Sequence, residues 1–317
     1  MIKIGLAGDV MIGRGVNERL DKVPINYIWG ELLPLLHSTD FNLINLEAAL
    51  TVSEHAVPKV FNFKADPKKV KALAEGAVHV VNLANNHVLD FGEEGLLETL
   101  RTLNNAHILH VGAGKDAKEA AAPAILERKG IKIGILGCTD NEPSWRAEAG
   151  KPGTFYLQIG DLEAIRESII KLRSEVDLLI LTIHWGPNMR DRPSPDFREF
   201  AHQLIDLGVD LIHGHSAHIF QGIEIYRGKP ILYDTGDFID DYYVDTFLRN
   251  DRSFFFIAEA DKRGFKTLRL IPTLISKYQV NRAVGIEAEE AVFRMRELSQ
   301  ELGTTSSLED GQIVFNI

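Results

Sequence analysis

The chain has 317 residues, with 35 Lys and Arg against 45 Asp and Glu, so its formal net charge is −10. Because 45% of the residues are hydrophobic, there is ample apolar mass for a core, which excludes disorder as a description of the whole chain. The acidic balance argues against a general nucleic-acid binder, since such proteins neutralise phosphates with Lys and Arg.

Cys138 is the single cysteine and cannot form an internal disulfide. The N-terminal apolar run is too short for a signal peptide, and no run spans a bilayer. We therefore expect a soluble, cytoplasmic protein without a nucleic-acid or membrane partner.

Short apolar runs alternate with segments of helical spacing over the first two thirds of the chain. Runs this short and rich in Ile and Val predict buried strands, at Ile2–Ala7, Phe41–Leu46, Val78–Leu83, Ile108–Val111, Ile131–Gly137, Leu178–Ile183 and Val209–Ile212. Helical spacing is found between them, at Val70–Ala74, Leu96–Leu103, Leu162–Leu172 and Phe197–Leu207. This alternation predicts an α/β protein built from βαβ units around a mostly parallel sheet.

The pattern changes after about Ser216. Consecutive strands joined by tight turns are predicted at Ile219–Tyr226, Pro230–Tyr233, Phe254–Ala260 and Lys266–Pro272. A helix over Glu287 to Leu302 and a last strand at Gln312–Phe315 follow. The chain thus ends with an antiparallel sheet, and no linker separates its two parts. We predict one domain over residues 1–317, in which residues 274–317 form a C-terminal helical and strand extension.

Polar residues of the kinds that bind metals follow several of the predicted strands. They are Asp9, Asn45-Leu46-Glu47, Asn85-Asn86-His87, His184 and His213-Gly214-His215-Ser216-Ala217-His218. In open α/β sheets, ligands bind beyond the carboxyl ends of the strands. Imidazole, amide and carboxylate ligands without thiolates suit manganese, iron or zinc, and one carboxylate can bridge two cations. The sequence therefore predicts a site for one or two divalent transition metal ions.

Some of these polar residues have a second interpretation. Asp90 with Glu93 resembles a capping box, so Asp90 caps the helix after Gly92, orients His87, or does both. Asn85 is interpreted as a turn residue and His213 as a structural one.

Three arginines are candidates for binding an anionic substrate. The predicted loop Gly13-Arg14-Gly15 directly follows the first strand, and Arg190 and Arg192 follow His184. An Arg side chain can hold a phosphate or a carboxylate with two parallel hydrogen bonds. The alternative interpretation is that both segments are flexible surface loops.

Together the polar motifs resemble the five motifs of calcineurin-like metallophosphoesterases. In their particular residues, the motifs most resemble one branch, the CapA-type poly-γ-glutamate capsule biosynthesis proteins. The segments that carry this resemblance are Gly8-Asp9-Val10-Met11, Asn45-Leu46-Glu47, the segment from Ala84 to Gly92, Gln221-Gly222-Ile223-Glu224 and Gly236-Asp237-Phe238-Ile239-Asp240. The resemblance spans residue 2 to about residue 271. It implies a four-layer αββα sandwich, in which two mixed β-sheets are flanked by helices.

The resemblance also implies roles for the candidate residues. Asp9 and His218 would bind a first metal, Glu47 would bridge, and a second metal would be held by Asn86, His184 and His215. His87 would protonate the leaving group or stabilise the attacked phosphorus oxygen.

The chain departs from the superfamily pattern in its first motif. Met11 stands where the wider superfamily has a histidine, so the first metal lacks one ligand. Asp237 and Asp140 are candidates for the missing oxygen. Glu47 also replaces the usual Asp, and two residues rather than one separate the histidines of the last motif.

From these features we expect a metal-dependent hydrolase, foremost a phosphoesterase that acts on a small anionic substrate such as a phosphate ester. One alternative is a component of poly-γ-glutamate capsule synthesis or processing that acts on γ-glutamyl chains, because the arginines suit glutamyl carboxylates equally well. The other alternative is a metal-binding scaffold without catalysis.

Overall fold

The computed structural model describes all 317 residues and contains twenty strands and eight α-helices. The strands are β1 (Ile2–Val10), β2 (Phe41–Leu46), β3 (Ala49–Leu50), β4 (Lys64–Ala65), β5 (Val78–Asn82), β6 (Leu109–Val111), β7 (Ala113–Gly114), β8 (Ala124–Arg128), β9 (Ile131–Thr139), β10 (Gly153–Thr154), β11 (Leu178–His184), β12 (Leu211–His215), β13 (Ile223–Tyr226), β14 (Lys229–Leu232), β15 (Asp237–Ile239), β16 (Arg252–Asp261), β17 (Gly264–Ser276), β18 (Gln279–Arg282), β19 (Ser307–Glu309) and β20 (Gln312–Asn316). The helices are α1 (Arg14–Leu20), α2 (Leu33–Leu36), α3 (Val70–Glu75), α4 (Gly92–Asn105), α5 (Ala117–Ala120), α6 (Glu163–Arg173), α7 (Pro195–Leu207) and α8 (Ile286–Glu301).

Most strands belong to two mixed sheets. The first sheet has ten strands in the order β19-β20-β17-β16-β1-β2-β5-β6, with β15 also paired to β1 and β18 to β17. Within it, β1 runs parallel to β2 and antiparallel to β16. The second sheet has six strands in the order β13-β14-β12-β11-β9-β8. Its centre is parallel, and β8 and β13 pair antiparallel at its edges.

The two sheets pack face to face, and helices cover both outer faces. The core between the sheets joins β1 residues such as Ile4 to residues such as Ile133 of β9. On the outer face of the first sheet, α1, α3 and α4 bury residues such as Leu96, and on that of the second sheet α6 and α7 bury residues such as Phe200. Central strands that are covered on both faces are buried along their whole length, as β2 and β11 are. The predicted four-layer αββα sandwich is confirmed.

The antiparallel strands of the second half do not form a sheet of their own. The hairpin of β13 and β14 extends the second sheet, whereas β16, β17 and β20 extend the first sheet beside β1. Residues 274–317, the predicted extension, are part of this arrangement: β18 and β20 pair with β17, and α8 buries Met295 in the core between the sheets.

Two local predictions were wrong. Arg14 and Gly15, predicted in a loop, begin α1, because Val16 and Leu20 stand four residues apart and are both buried on one face of a helix. The strand predicted from Ile219 starts at Ile223. None of the helices is both long and apolar enough to cross a membrane.

Candidate metal centre

The candidate ligands meet at the carboxyl ends of strands from both sheets. The first sheet contributes Asp9 near the end of β1, Glu47 directly after β2, and Asn86 in the turn after β5. The second sheet contributes His184 and His215, which end β11 and β12 and are partners in the parallel register, and His218 in the turn that follows. The centre therefore lies where the two sheets face each other.

Two groups of side chains could hold a metal ion here. Asp9, His184 and His215 form the first group, and Asp9, Glu47 and His218 the second; within each group the ligand atoms lie within 4.8 Å of one another. Asp9 is common to both groups, whereas the resemblance gave the bridging position to Glu47. Glu47 is also close to the first group, because its Oε1 lies 3.8 Å from His184 Nε2.

Several buried atoms of these residues have no hydrogen-bond partner within the protein. They are Asp9 Oδ2, Glu47 Oε1, Asn86 Oδ1 and His184 Nε2. A buried polar atom without a partner destabilises the fold by about 1–3 kcal/mol, so four of them on the ends of neighbouring strands call for a ligand. Carboxylate, amide and neutral imidazole atoms fit a divalent metal ion.

The electrostatics of the site also suit a cation. Burial lowers the pKa of His184 to about 3 and that of His215 well below its usual value, so both imidazoles are neutral and free to coordinate near pH 7. Burial would raise the pKa of Asp9, but His218, whose Nδ1 lies 3.4 Å from Asp9 Oδ2, and the neighbouring His184 outweigh it and hold the pKa below its usual range. Burial and the neighbouring Asp9 raise the pKa of Glu47.

Asp9 and His215 are each held by a neighbouring side chain. Asn45 Nδ2 donates to Asp9 Oδ1 at 2.7 Å, and Thr182 Oγ1 lies 3.0 Å from His215 Nε2. Such outer contacts fix the orientation of ligands and tune their affinity for the metal.

Two further outer contacts come from the segment after β14. Tyr242 donates its hydroxyl hydrogen to Glu47 Oε2 at 3.0 Å, and Asp237 Oδ1 lies 2.8 Å from His218 Nδ1. Tyr242 was not predicted from the sequence, although it lies two residues beyond the motif that ends at Asp240.

Met11, which stands in place of the usual histidine, and the two candidates for the missing oxygen ligand all take other roles. Met11 is buried in the apolar core, where its sulfur accepts the Gly13 N–H at 3.1 Å. Asp140 Oδ1 accepts the Gly186 N–H at 3.1 Å and belongs to neither ligand group. Asp237 contacts the site through His218, as described above.

His87 and Asp90 form a pair beside the ligands. His87 Nδ1 lies 2.5 Å from Asp90 Oδ2, which also accepts the Phe63 N–H at 2.7 Å. The N-cap of α4 is Phe91 and has no side-chain cap, so of the two interpretations of Asp90 the structure supports orientation of His87. Burial lowers the pKa of His87, and the hydrogen bond to Asp90 opposes that shift.

The three arginines lie in different surroundings. Arg14 pairs with Asp241, and its guanidinium lies 4.8 Å from the centroid of the Phe63 ring. Arg190 makes no hydrogen bond or ion pair through its side chain and lines a cavity of about 350 Å³ together with Trp185, which directly follows His184.

Arg192 is directed towards α8. Its guanidinium donates to both carboxylate oxygens of Glu301, at 2.7 and 2.8 Å, and to Asp191. This pairing with Glu301 raises the pKa of Arg192. Arg192 lines the same cavity as Arg190, but its guanidinium is paired with carboxylates of the protein and belongs to neither ligand group.

Comparisons with known proteins agree with this architecture. Residues 3–242 match the model of a family described as bacterial capsule synthesis protein PGA_cap. A probable polyglutamine synthesis accessory protein of Mycobacterium tuberculosis is 32% identical over 352 residues, covering 96% of this chain and 92% of that protein. The PGA biosynthesis protein CapA of Bacillus subtilis is 27% identical over 321 residues, covering 100% of this chain and 83% of that protein. The solved structure of the sulfate thiohydrolase SoxB of Thermus thermophilus shares the fold, with a TM-score of 0.50 at 12% identity over 93% of this chain and 60% of that one. The resemblance drawn from the motifs is confirmed: the chain belongs to the PGA_cap family and has the fold of the metallophosphoesterases.

Proposed function

We propose that this chain is a metal-dependent hydrolase of anionic substrates, foremost a phosphoesterase. The observation that carries the proposal is the set of buried, unpartnered donor atoms on Asp9, Glu47, Asn86 and His184. A scaffold without a ligand would gain stability by replacing such atoms with apolar ones.

The donor set supports one or two divalent transition metal ions. Asp9, His184 and His215 would hold one ion, and Glu47 and His218 would hold a second one together with Asp9. Because the donors are nitrogen and oxygen without thiolate, manganese, iron and zinc are the candidates. A bound divalent ion supplies Lewis acidity, which lowers the pKa of water and attracts an anionic substrate.

The residues beside the ligands would carry out the proton transfer. With Nδ1 of His87 bound to Asp90, its Nε2 remains the free nitrogen of the ring, and no hydrogen bond occupies it. In its imidazolium form, with Nδ1–H donated to Asp90, His87 would pass the Nε2 hydrogen to the leaving group and be left neutral with its hydrogen on Nδ1. A positioned acid accelerates such a step by about 10²–10⁴-fold. Asp90 orients the ring and fixes which nitrogen carries the hydrogen.

A second candidate function is hydrolysis of γ-glutamyl amide bonds within poly-γ-glutamate synthesis or processing. The relatives named for polyglutamine synthesis and PGA biosynthesis favour it. The unpaired guanidinium of Arg190, in a cavity next to the strand that ends in His184, suits a glutamyl carboxylate as well as a phosphate.

The test combines elemental analysis with a substrate screen on protein purified without added metal or a chelating tag. Phosphomonoesters, phosphodiesters and poly-γ-glutamate are each supplied with Mn²⁺, and we expect turnover of a phosphate ester. His184→Ala should lose both metal and turnover, whereas His87→Asn should keep the metal and lose turnover by roughly 100-fold.

The other outcomes identify the alternatives. Shortening of poly-γ-glutamate without phosphoesterase activity would favour the second candidate function. Bound metal without turnover of any of the three substrates would contradict a hydrolase and favour a scaffold.

A further inference from the structure

The loop between β3 and β4 encloses the segment that carries His87 and Asp90. Its Val57 N–H donates to the Asp90 carbonyl oxygen at 2.9 Å, and the Phe63 N–H donates to Asp90 Oδ2 at 2.7 Å. The Phe63 ring stacks on the His87 ring, with centroids 3.8 Å apart. The position of the His87 and Asp90 pair therefore depends on a loop that comes earlier in the chain; Phe63, for example, lies 27 residues before Asp90.

Lys59 is the charged residue of this loop that reaches the pair. Its Nζ lies 2.9 Å from Asp90 Oδ1 and donates to the carbonyl oxygen of Asn86. The Nζ also lies 4.8 Å from the centroid of the Trp145 ring, and the side chain is only 20% exposed.

The ammonium group of Lys59 contacts the protein on all sides. A lysine ammonium has three N–H donors, of which two are used by Asp90 and Asn86. The remaining side faces the Trp145 ring and Glu142, whose Oε1 lies 4.0 Å from Nζ.

The carboxylate that Lys59 contacts is fully buried. The Asp90 side chain has no exposed surface, so its two oxygens depend on donors from the protein. One oxygen is shared by Phe63 and His87, and the other one has Lys59 as its partner. Without the ammonium, half of the carboxylate would be left without a donor, and its orientation towards His87 would no longer be fixed.

We propose that Lys59 is a positioning residue, which orients His87 by holding the Asp90 carboxylate in place. The contact with the Asn86 carbonyl anchors the ammonium. This inference rests on the proposed function for the role of His87, but the arrangement itself can be observed without any activity.

The test compares Lys59→Met with the matched control Lys64→Met. Lys64 begins β4, directly after the same loop, and has the same kinds of partners: the Ser53 carbonyl at 2.7 Å, the Glu54 carboxylate at 2.6 Å and the Phe91 ring at 4.8 Å. It has no contact with Asn86, His87 or Asp90. Lys59→Arg keeps the charge and serves as the rescue variant.

The first readout is independent of catalysis. In protein saturated with Zn²⁺, two-bond ¹H–¹⁵N correlations of labelled histidines show which nitrogen of His87 carries the hydrogen, with His87→Asn used for assignment. We expect Nδ1–H in the wild type, in Lys59→Arg and in Lys64→Met, and a mixture of tautomers in Lys59→Met. An unchanged His87 spectrum in Lys59→Met would overturn the proposal, whether or not the protein is a hydrolase.

The second readout uses the substrate that the wild type turns over. We expect Lys59→Met to lower kcat about tenfold or more while KM stays within about twofold, since part of the effect of the acid is lost. Lys64→Met should keep the wild-type kcat, and all variants should keep the bound metal. Equal kcat values for the two Met variants, or loss of metal in Lys59→Met, would overturn the proposal. If the wild type turns over no substrate, the proposed function fails and the histidine spectrum alone decides the role of Lys59.

Discussion

Asp9 is the residue on which both groups of ligands depend. Its Oδ1 accepts the Asn45 amide, and its Oδ2 is buried and has no hydrogen-bond partner. A carboxylate that is shared in this way can neutralise two neighbouring cations at once. The residue is placed by β1, in which every residue from Ile4 to Val10 is buried.

Replacing Asp9 should therefore remove metal from both groups. Asp9→Asn keeps the volume but removes the charge and one acceptor oxygen. We expect the affinity for Mn²⁺ to fall by more than the roughly 10–100-fold that the loss of an outer partner costs. Calorimetric titration together with elemental analysis measures the effect.

Asp140→Asn is the matched control for this substitution. Asp140 is also a carboxylate at the end of a strand, but its Oδ1 accepts hydrogen bonds from Gly186 and Asn141. The Asp140→Asn variant should bind Mn²⁺ with the affinity of the wild type. Equal losses in the two variants would show that Asp9 has no special place in the centre.

At the scale of elements, the site depends on the close approach of β15 to β1. The Asp9 N–H donates to the Gly236 carbonyl at 2.9 Å, and Asp9 and Asp237 are partners in the parallel register. Gly8 permits this approach, because a Cβ atom there would lie 1.8 Å from the Gly236 oxygen.

Gly8→Ala should consequently push β15 away from β1. We expect a loss of stability of roughly 1–3 kcal/mol, as overpacked interiors show, and faster hydrogen exchange at the Asp9 amide. Urea unfolding and native-state exchange measure the two effects. Wild-type stability with full protection of the Asp9 amide would contradict this account of β1.

The elements also show which features the sequence could predict. The strand at Phe41–Leu46 was predicted with the bounds it has in the structure, because its Phe, Leu and Ile residues mark a strand that is buried throughout. The end of β1 was missed, since Gly8 and Asp9 break the apolar pattern and remain in the strand through their pairing with β15.

The residues of the site also divide into those that a local sequence pattern marks and those that it does not. Asp9, Glu47 and His184 were candidates from the sequence because each lies at the end of a predicted strand. Lys59 and Tyr242 were missed, since they reach the site across 31 and 195 residues of sequence, and no local pattern records such contacts.

At the scale of the whole molecule, buried histidines should make the metal-free protein sensitive to acid. Burial lowers the pKa of His213 to about 4 and that of His184 to about 3. Below pH 6.5 the unfolded chain binds protons that the folded protein excludes, so stability present at pH 7 is lost as the pH falls towards 4.

The expected loss between pH 7 and pH 5 is about 2 kcal/mol for one such imidazole. Urea unfolding of protein treated with EDTA, at several pH values, measures it. The raised pKa values of Asp140 and Asp240, each about 6, act in the opposite direction, so titration of the imidazole resonances checks the cause. Uptake of a proton by His213 or His184 between pH 7 and pH 5 would contradict burial of neutral histidines in the folded protein.

The place of β1 inside the first sheet has a consequence for how the chain reaches its folded state. Residues 2–6 pair with residues 256–260 on one side and with β2 on the other. During synthesis, the strand that carries Asp9 therefore keeps one open edge until β16 has left the ribosome, and pairing over such a separation is slow. Asp9 is the first candidate ligand to be synthesised and among the last to be fixed in place, so we expect metal to bind only after the sheet is complete.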